Sequence, residues 1–230
     1  MKLNNVPQAF TELLKITNTT DESSDLWDSN QLLYVNIALS KVLPRRQLPF
    51  LISIPHSFRQ TARICLFCKD KTTEEQQEYL KGLDSRIERI ITVSEVRNLY
   101  KTYEQRRSLR DEFDRFLCDN DVFGILTKLL GKVFIKANKI PVTVSIPLGD
   151  DARAQSAVQK AIDGVDLKLG GGPCLSLPVG NNQMEILHLR ENLAAICKYV
   201  TTKFGEDMIQ RICLKTKDSP ALPVYSCLPE

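Results

Sequence analysis

Two histidines, one tryptophan and no unbroken apolar stretch of membrane-crossing length are the first things missing from this sequence. A helix that spans a bilayer needs about eighteen or more consecutive apolar residues, so no membrane segment is expected. The amino end, Met1 to Phe10, carries Lys2 but no apolar core of the kind that opens a secretory signal. In an unsecreted chain the seven cysteines read as reduced thiols rather than a disulfide framework, which places the chain in cytosol or nucleus. Phosphate-cradling glycine patterns are missing too. No G-x-G-x-x-G follows a strand and opens a helix, and six residues instead of four separate Gly124 from Gly131-Lys132. Val133 stands where a magnesium-holding hydroxyl would be, and Gly170 to Gly172 precede Pro173 and a strand pattern, so they form a turn.

The reactive groups that are present do not assemble into a site. Cys65 and Cys68 spell C-x-x-C inside an apolar strand, where residues three apart point to opposite faces, and no second cysteine pair or nearby histidine completes a zinc centre. His56 follows Pro55 at a strand end, but no Ser–His–Asp or Cys–His spacing can be built around it or around His188. We therefore expect no enzyme activity, no cofactor and no metal.

What the chain does have is 43% hydrophobic and 26% charged residues over 230 positions, enough for a real core. Residues 6–16 place Val6, Phe10, Leu13 and Leu14 on one helical face, and 31–39 and 50–54 alternate as strands. From 63 the rhythm changes. Strands at 63–68, 88–93 and 115–118 alternate with helices at 73–81 (capped by Thr73), from 95 onward (capped by Ser94) and at 122–130. Such β-α-β-α order predicts a small parallel sheet covered on both faces. After Pro147 come a helix at 152–162, strands at 166–169 and 174–177, a long amphipathic helix at 187–204 and a closing strand at 209–215. The economical arrangement is an α/β chain with a discontinuous α+β domain, 1–62 plus 147–230, and a Rossmann-like three-layer domain, 63–146, inserted into it.

Net charge is only +3, but the charges are segregated. Between Asp28 and Asp70 there is no acid, while Lys41, Arg45, Arg46, Arg59, Arg63 and Lys69 fall there. The stretches Asp121–Asp150 and Asp207–Asp218 are likewise acid-free and carry Lys128, Lys132, Lys136 and Lys139, then Arg211, Lys215 and Lys217. Segregation of this kind can build a phosphate-attracting face on a chain that is nearly neutral overall.

Several segments in order resemble one family. FLISIPHSFRQTAR (50–63) followed by ICLFCKD, then FDRFLCDNDVFGILTKLLGKVFIKANKIPVTV (113–144), GPCLSLPVGNNQM and the closing IQRICLKTKDSPALPVY are similar to segments of the ribosomal L-one family, over nearly the whole chain. The resemblance implies the two-domain ribosomal L-one fold, a terminal domain that grips pre-rRNA or rRNA, and no catalysis. It places an aromatic before the first strand at Trp27, a basic turn at Arg45 and Arg46 with Lys41 before it, and a last loop at Lys215, Thr216, Lys217 and Ser219. With Arg59 these are the expected RNA-binding residues. Arg45, Arg46, Arg59, Lys215 and Lys217 are expected on one face of the terminal domain. Relative to ribosomal members, the last loop lacks Met-Gly and Val133 to Lys139 replaces a proline-rich loop, which departs from the stalk rRNA site, while the SPALPVY ending (219–225) resembles the nucleolar assembly-factor branch, including its small-subunit processome member. The implied setting is ribosome biogenesis in a preribosome, in nucleus and nucleolus, among assembly proteins, with the chain a monomer outside the particle. Two other readings stay open: a protein-interaction scaffold that has lost its RNA site, and a structural stalk protein of the large subunit.

Overall fold

The computed structural model describes residues 5–21, 31–46, 48–70, 73–146 and 151–227. The chain opens with α1 (Val6–Asp21), β1 (Leu32–Leu39), β2 (Phe50–Ile52) and β3 (Ile64–Cys68). It continues through α2 (Glu74–Gly82), β4 (Ile87–Thr92), α3 (Val93–Leu99), α4 (Tyr103–Glu112) and β5 (Arg115–Asp119). Next come α5 (Phe123–Leu130), α6 (Lys132–Lys136), β6 (Val142–Val144), α7 (Asp151–Asp163) and β7 (Val165–Leu167). It closes with β8 (Cys174–Asn181), α8 (Ile186–Phe204), β9 (Ile209–Lys215) and β10 (Leu222–Ser226).

Two compact units divide these elements, Met1–Phe58 with Asp163–Glu230 and Arg59–Ile162. The expected boundaries near 62 and 147 therefore shift, and α7 goes with the inserted unit. The reason lies in two arginines. Arg115 on β5 is buried and donates its Nε to the Ala161 carbonyl at 2.9 Å, and Arg59 Nη1 reaches the Ile162 carbonyl at 3.5 Å. The last carbonyls of a helix lack intrahelical donors, and a guanidinium there satisfies them and complements the helix dipole.

In the outer unit a four-stranded antiparallel sheet runs β10-β9-β1-β8, with β2 and β7 paired separately. Alternation dictates its sidedness: Leu33, Val35, Ile37 and Leu39 of β1 are buried, and Leu175, Leu177 and Val179 of β8 and Ile212 and Leu214 of β9 join them in one core. Phe10 and Leu13 of α1, and Leu189, Leu193, Ile196 and Val200 of α8, recur at helical spacing and cover that face. Gly180 permits the close approach of α8. A Cβ there would lie 2.5 Å from Leu189 Cδ2 and 2.8 Å from the Met184 sulfur.

The inserted unit has a parallel sheet, β4-β3-β5-β6, whose β3 is buried at all five positions. The crossovers from β4 to β5 and from β5 to β6 run the same way across this sheet, and right-handed connections put their helices, α3 to α6, in one layer. Phe116 anchors the sheet to that layer, with Phe134 at 5.0 Å and Phe113 at 6.1 Å between ring centroids. The cap of α3 is Thr92 rather than Ser94: its hydroxyl accepts from the Glu95 amide while the Glu95 carboxylate accepts from the Thr92 amide, a reciprocal capping box. Cys65 and Cys68 are both buried, and burial pushes the Cys68 thiol up to about 12 and that of Cys65 higher still.

The buried side chain of Asn192 on α8 accepts from the His56 amide at 3.0 Å and donates to the His56 and Val179 carbonyls at 2.9 Å each. Asn192→Leu keeps the volume but strands three backbone groups, at about 1–3 kcal/mol for each unsatisfied buried group. Urea unfolding should show a loss of about 3 kcal/mol or more, and a loss under about 1 kcal/mol would contradict the clamp. The thiols give a second expectation. Only a thiolate alkylates, and at pH 8 a thiol at about 12 is ionised in roughly one molecule in ten thousand. Iodoacetamide should therefore modify exposed Cys174 and Cys227 in the native chain, and Cys65, Cys68, Cys118 and Cys197 only after denaturation.

Candidate nucleic-acid interface

An antiparallel sheet with helices on one face leaves its other face to solvent and ligands. In the outer unit that second face carries Tyr34, Asn36 and Ala38 from β1, Ser176 and Pro178 from β8, and Arg211, Cys213 and Lys215 from β9. Register makes them a continuous surface: Tyr34 lies opposite both Pro178 and Lys215, Asn36 opposite Ser176 and Cys213, and Ala38 opposite Arg211. None of the four strands contains an aspartate or glutamate. At the centre of the face the Asn36 side-chain oxygen is shielded and has no hydrogen-bond partner. The face combines an aromatic ring, amide and hydroxyl groups, and two cations. That is the set of groups that stacks bases, hydrogen-bonds their edges and neutralises phosphate.

The expected RNA-binding residues separate into groups. Lys215, Thr216, Lys217 and Ser219 sit where β9 ends beside the start of β1. Thr216 is buried, its amide donates to Ser219 Oγ at 2.8 Å, and that hydroxyl donates to the Pro220 carbonyl at 3.1 Å. The loop therefore presents its exposed Lys217 rather than the Thr216 side chain. Lys41, Arg45 and Arg46 lie past the other end of β1, on the order of 20 Å away at about 3.4 Å per strand residue. Of the cations expected on one face, those of the first turn and those of the last loop therefore stand apart. Antiparallel pairing of β1 with β9 puts the first turn and the last loop at opposite ends of the sheet. Arg59 drops out as well, because it opens the inserted unit and its guanidinium reaches the end of α7. Trp27 lies outside the described residues.

The turn after β1 is held in place by its own cations. The Arg46 amide donates to the Leu169 carbonyl at 3.1 Å, and its guanidinium lies 4.2 Å from the centroid of Phe50. The Lys203 ammonium, at the end of α8, sits 4.7 Å from the same ring. Gly171, with φ +85°, lies beside Arg45, where a Cβ would stand at an ordinary contact distance of 3.5 Å from the arginine Cβ. Lys203 carried no sequence signal, because tertiary packing alone brings it to Phe50. Tyr34, Asn36 and Arg211 were legible only as the outward half of an alternating strand.

Of the other cations in the acid-free stretch before Asp70, two are spent on acids from elsewhere in the chain. Lys69 pairs with Asp119 at 3.1 Å and Asp121 at 2.6 Å, and Arg63 with Glu88 at 2.8 Å. The only two histidines stack at 4.0 Å between centroids, and Glu191 is bonded to His56. No cluster of three or more metal-ligating side chains occurs among the described residues. No described helix is long and apolar enough to cross a membrane.

An α+β sheet unit interrupted by a parallel α/β unit, with an acid-free sheet face exposed, defines a two-part α/β protein. The sequence profile of the ribosomal protein L1p/L10e family matches residues 13–220, and the chain belongs to that family. A Schizosaccharomyces pombe protein named as a ribosome biogenesis protein is 29% identical over 216 residues, 90% of this chain and 57% of its own length. Ribosomal L1 domain-containing protein 1 of Mus musculus is 26% identical over 212 residues, 87% of this chain and 46% of its own. The large ribosomal subunit protein uL1 of Pyrococcus horikoshii is 25% identical over 183 residues, 79% of each chain. This chain thus spans about half the length of the first two relatives.

Ser219→Ala tests the loop geometry. Removing the acceptor of the Thr216 amide should cost about 1 kcal/mol and speed hydrogen exchange at that amide, with exchange elsewhere on β9 unchanged. Unaltered exchange at Thr216 would show that the hydroxyl does not close the loop.

Proposed function

We propose that this chain is a non-catalytic RNA-binding protein of ribosome biogenesis, which holds pre-rRNA on the open sheet face of its outer unit. The observation that carries this reading is the acid-free face itself: Tyr34, Asn36 and Ser176 between the cations Arg211 and Lys215, on four strands with no carboxylate. Phosphates would sit at Arg211, Lys215 and Lys217, and bases against Tyr34 and the Asn36 amide. A strand of RNA following β1 would run from Lys217 toward the basic turn at Lys41, Arg45 and Arg46. The names borne by the fission-yeast and mouse relatives support a place in ribosome assembly. On this reading the chain works in the nucleolus, within a preribosomal particle.

RNA binding measured across salt concentrations tests the reading. Arg211, Lys215 and Lys217 should give a slope of log affinity against log salt of about −2, at roughly 0.7 per phosphate contacted on a single strand. Replacing Arg211 and Lys215 by Ala should flatten that slope by about 1.4 for every RNA tried, because phosphate contacts do not read sequence. Tyr34→Ala should cost about 1–3 kcal/mol with little change of slope, as expected for lost stacking. Binding untouched by all three substitutions, with preribosome association intact, would leave the fold in place as a protein scaffold and end the RNA reading.

A further inference from the structure

The inserted unit carries a second surface of different chemistry on the α3–α6 layer, where exposed Glu95 and Glu104 are outnumbered by exposed Arg97, Lys101, Arg107, Lys128 and Lys132. Arg106 is its hub. The guanidinium Nε donates to the Tyr100 carbonyl at 2.9 Å, the group lies 5.8 Å from the centroid of Tyr103, and Nη1 comes within 3.9 Å of the Cβ position at Gly131. One side chain therefore gathers the end of α3, the start of α4 and the α5–α6 junction. Tyr103 beside it is 67% exposed, Leu99, next to Tyr100, is 54% exposed, and Ile135, one turn past Gly131 on α6, is 48% exposed. Lys101 follows Tyr100, Lys128 and Lys132 flank the junction, all are exposed, and no acid occurs from 122 to 149.

We propose that this surface docks a protein segment, an acidic amphipathic helix whose apolar side seats on Leu99, Tyr103 and Ile135 and whose carboxylates face Lys101, Lys128 and Lys132. The chemistry favours a peptide over RNA. Aliphatic side chains offer nothing to phosphate or to base edges, whereas they are the anchors of helix recognition. Arg106, the guanidinium at the hub, already has its Nε on a backbone carbonyl and lies against a ring, which limits its use as a fork for phosphate. Lysines, as point charges, suit the carboxylates of a helix flank. The proposal does not rest on RNA binding by the sheet face, and the two fail separately.

The test uses the full chain and a fluorescent helical peptide of roughly 18 residues, with leucines at i, i+4 and i+7 and glutamates between. A second peptide has the same composition scrambled so that no apolar face forms, and a third probe is oligouridylate. Anisotropy should show the first peptide binding at least about tenfold more tightly than the scrambled one, because charge alone does not seat the apolar anchors. Lys128→Glu with Lys132→Glu should weaken it about tenfold or more, and Tyr103→Ser several-fold, with melting temperature unchanged since all three are exposed. A photo-crosslinker in place of Ile135 should capture the first peptide. Equal binding of the two peptides, or binding indifferent to the double lysine reversal, would overturn the proposal. So would oligouridylate displacing the first peptide from these lysines. Arg211→Ala with Lys215→Ala should leave peptide binding intact, whatever it does to RNA.

Discussion

The outer unit depends on one buried carboxamide. Its sheet pairs strands from opposite ends of the sequence, Tyr34 with Lys215, so the chain must leave after β2 and return before β7 with both ends held. Closing so long a loop has an entropic cost that the contacts at its mouth must offset. Asn192 supplies the contact on the way out, tying the backbone of His56 to α8 and, through the Val179 carbonyl, to β8. Ser57 then donates to Asp163 at 2.8 Å, joining the outgoing segment to the returning one. These bonds fix where the inserted unit begins and ends. The boundary consequently falls at Phe58 and Asp163 instead of at the first β3 residue, where the sequence rhythm changes.

What was legible in the sequence follows the same physics. Elements with strong periodicity were placed nearly to the residue: β1 by its alternation, β3 by its apolar run, α8 by its recurrent Leu189, Leu193, Ile196 and Val200. Short elements that owe their existence to neighbours were not. β6 is three residues long and forms because β5 offers an edge, and β10 carries Pro223 and pairs only with β9. α4 has a mostly polar sequence, and its capping box at Thr102 and Gln105 was the available sign of its start. Ser94 competed with Thr92 as a cap, and Thr92 won because Glu95 stands three residues after it.

The candidate site was less legible, because charge in sequence and charge in space are different quantities. The stretch before Asp70 has no acid of its own, yet Lys69 finds Asp119 and Asp121, and Arg63 finds Glu88, from other strands and loops. A parallel sheet gathers the carboxyl ends of strands that are distant in sequence, and acids brought there neutralise lysines that look free on paper. The antiparallel sheet of the outer unit works the other way. Its strands bring no carboxylates to each other, so Arg211 and Lys215 face no acid from the strands they pair with. An acid-free segment is therefore a guide to surface charge only where its neighbours in space are acid-free too.

Sheet type also decides what each unit can offer a partner. An antiparallel sheet needs one covering layer, and α1 with α8 provides it in the outer unit, so backbone-rigid strands themselves present Tyr34, Asn36 and Lys215. Side chains on paired strands hold fixed spacings, a property suited to the repeated bases and phosphates of RNA. A parallel sheet must be covered on both faces, so the surface of the α3–α6 layer is helical, and it exposes Leu99, Tyr103 and Ile135 among charged residues of both signs. Its apolar side chains are the feature that would suit another helix. If both proposals hold, one chain joins two recognition chemistries, and each follows from the way its sheet is hydrogen-bonded.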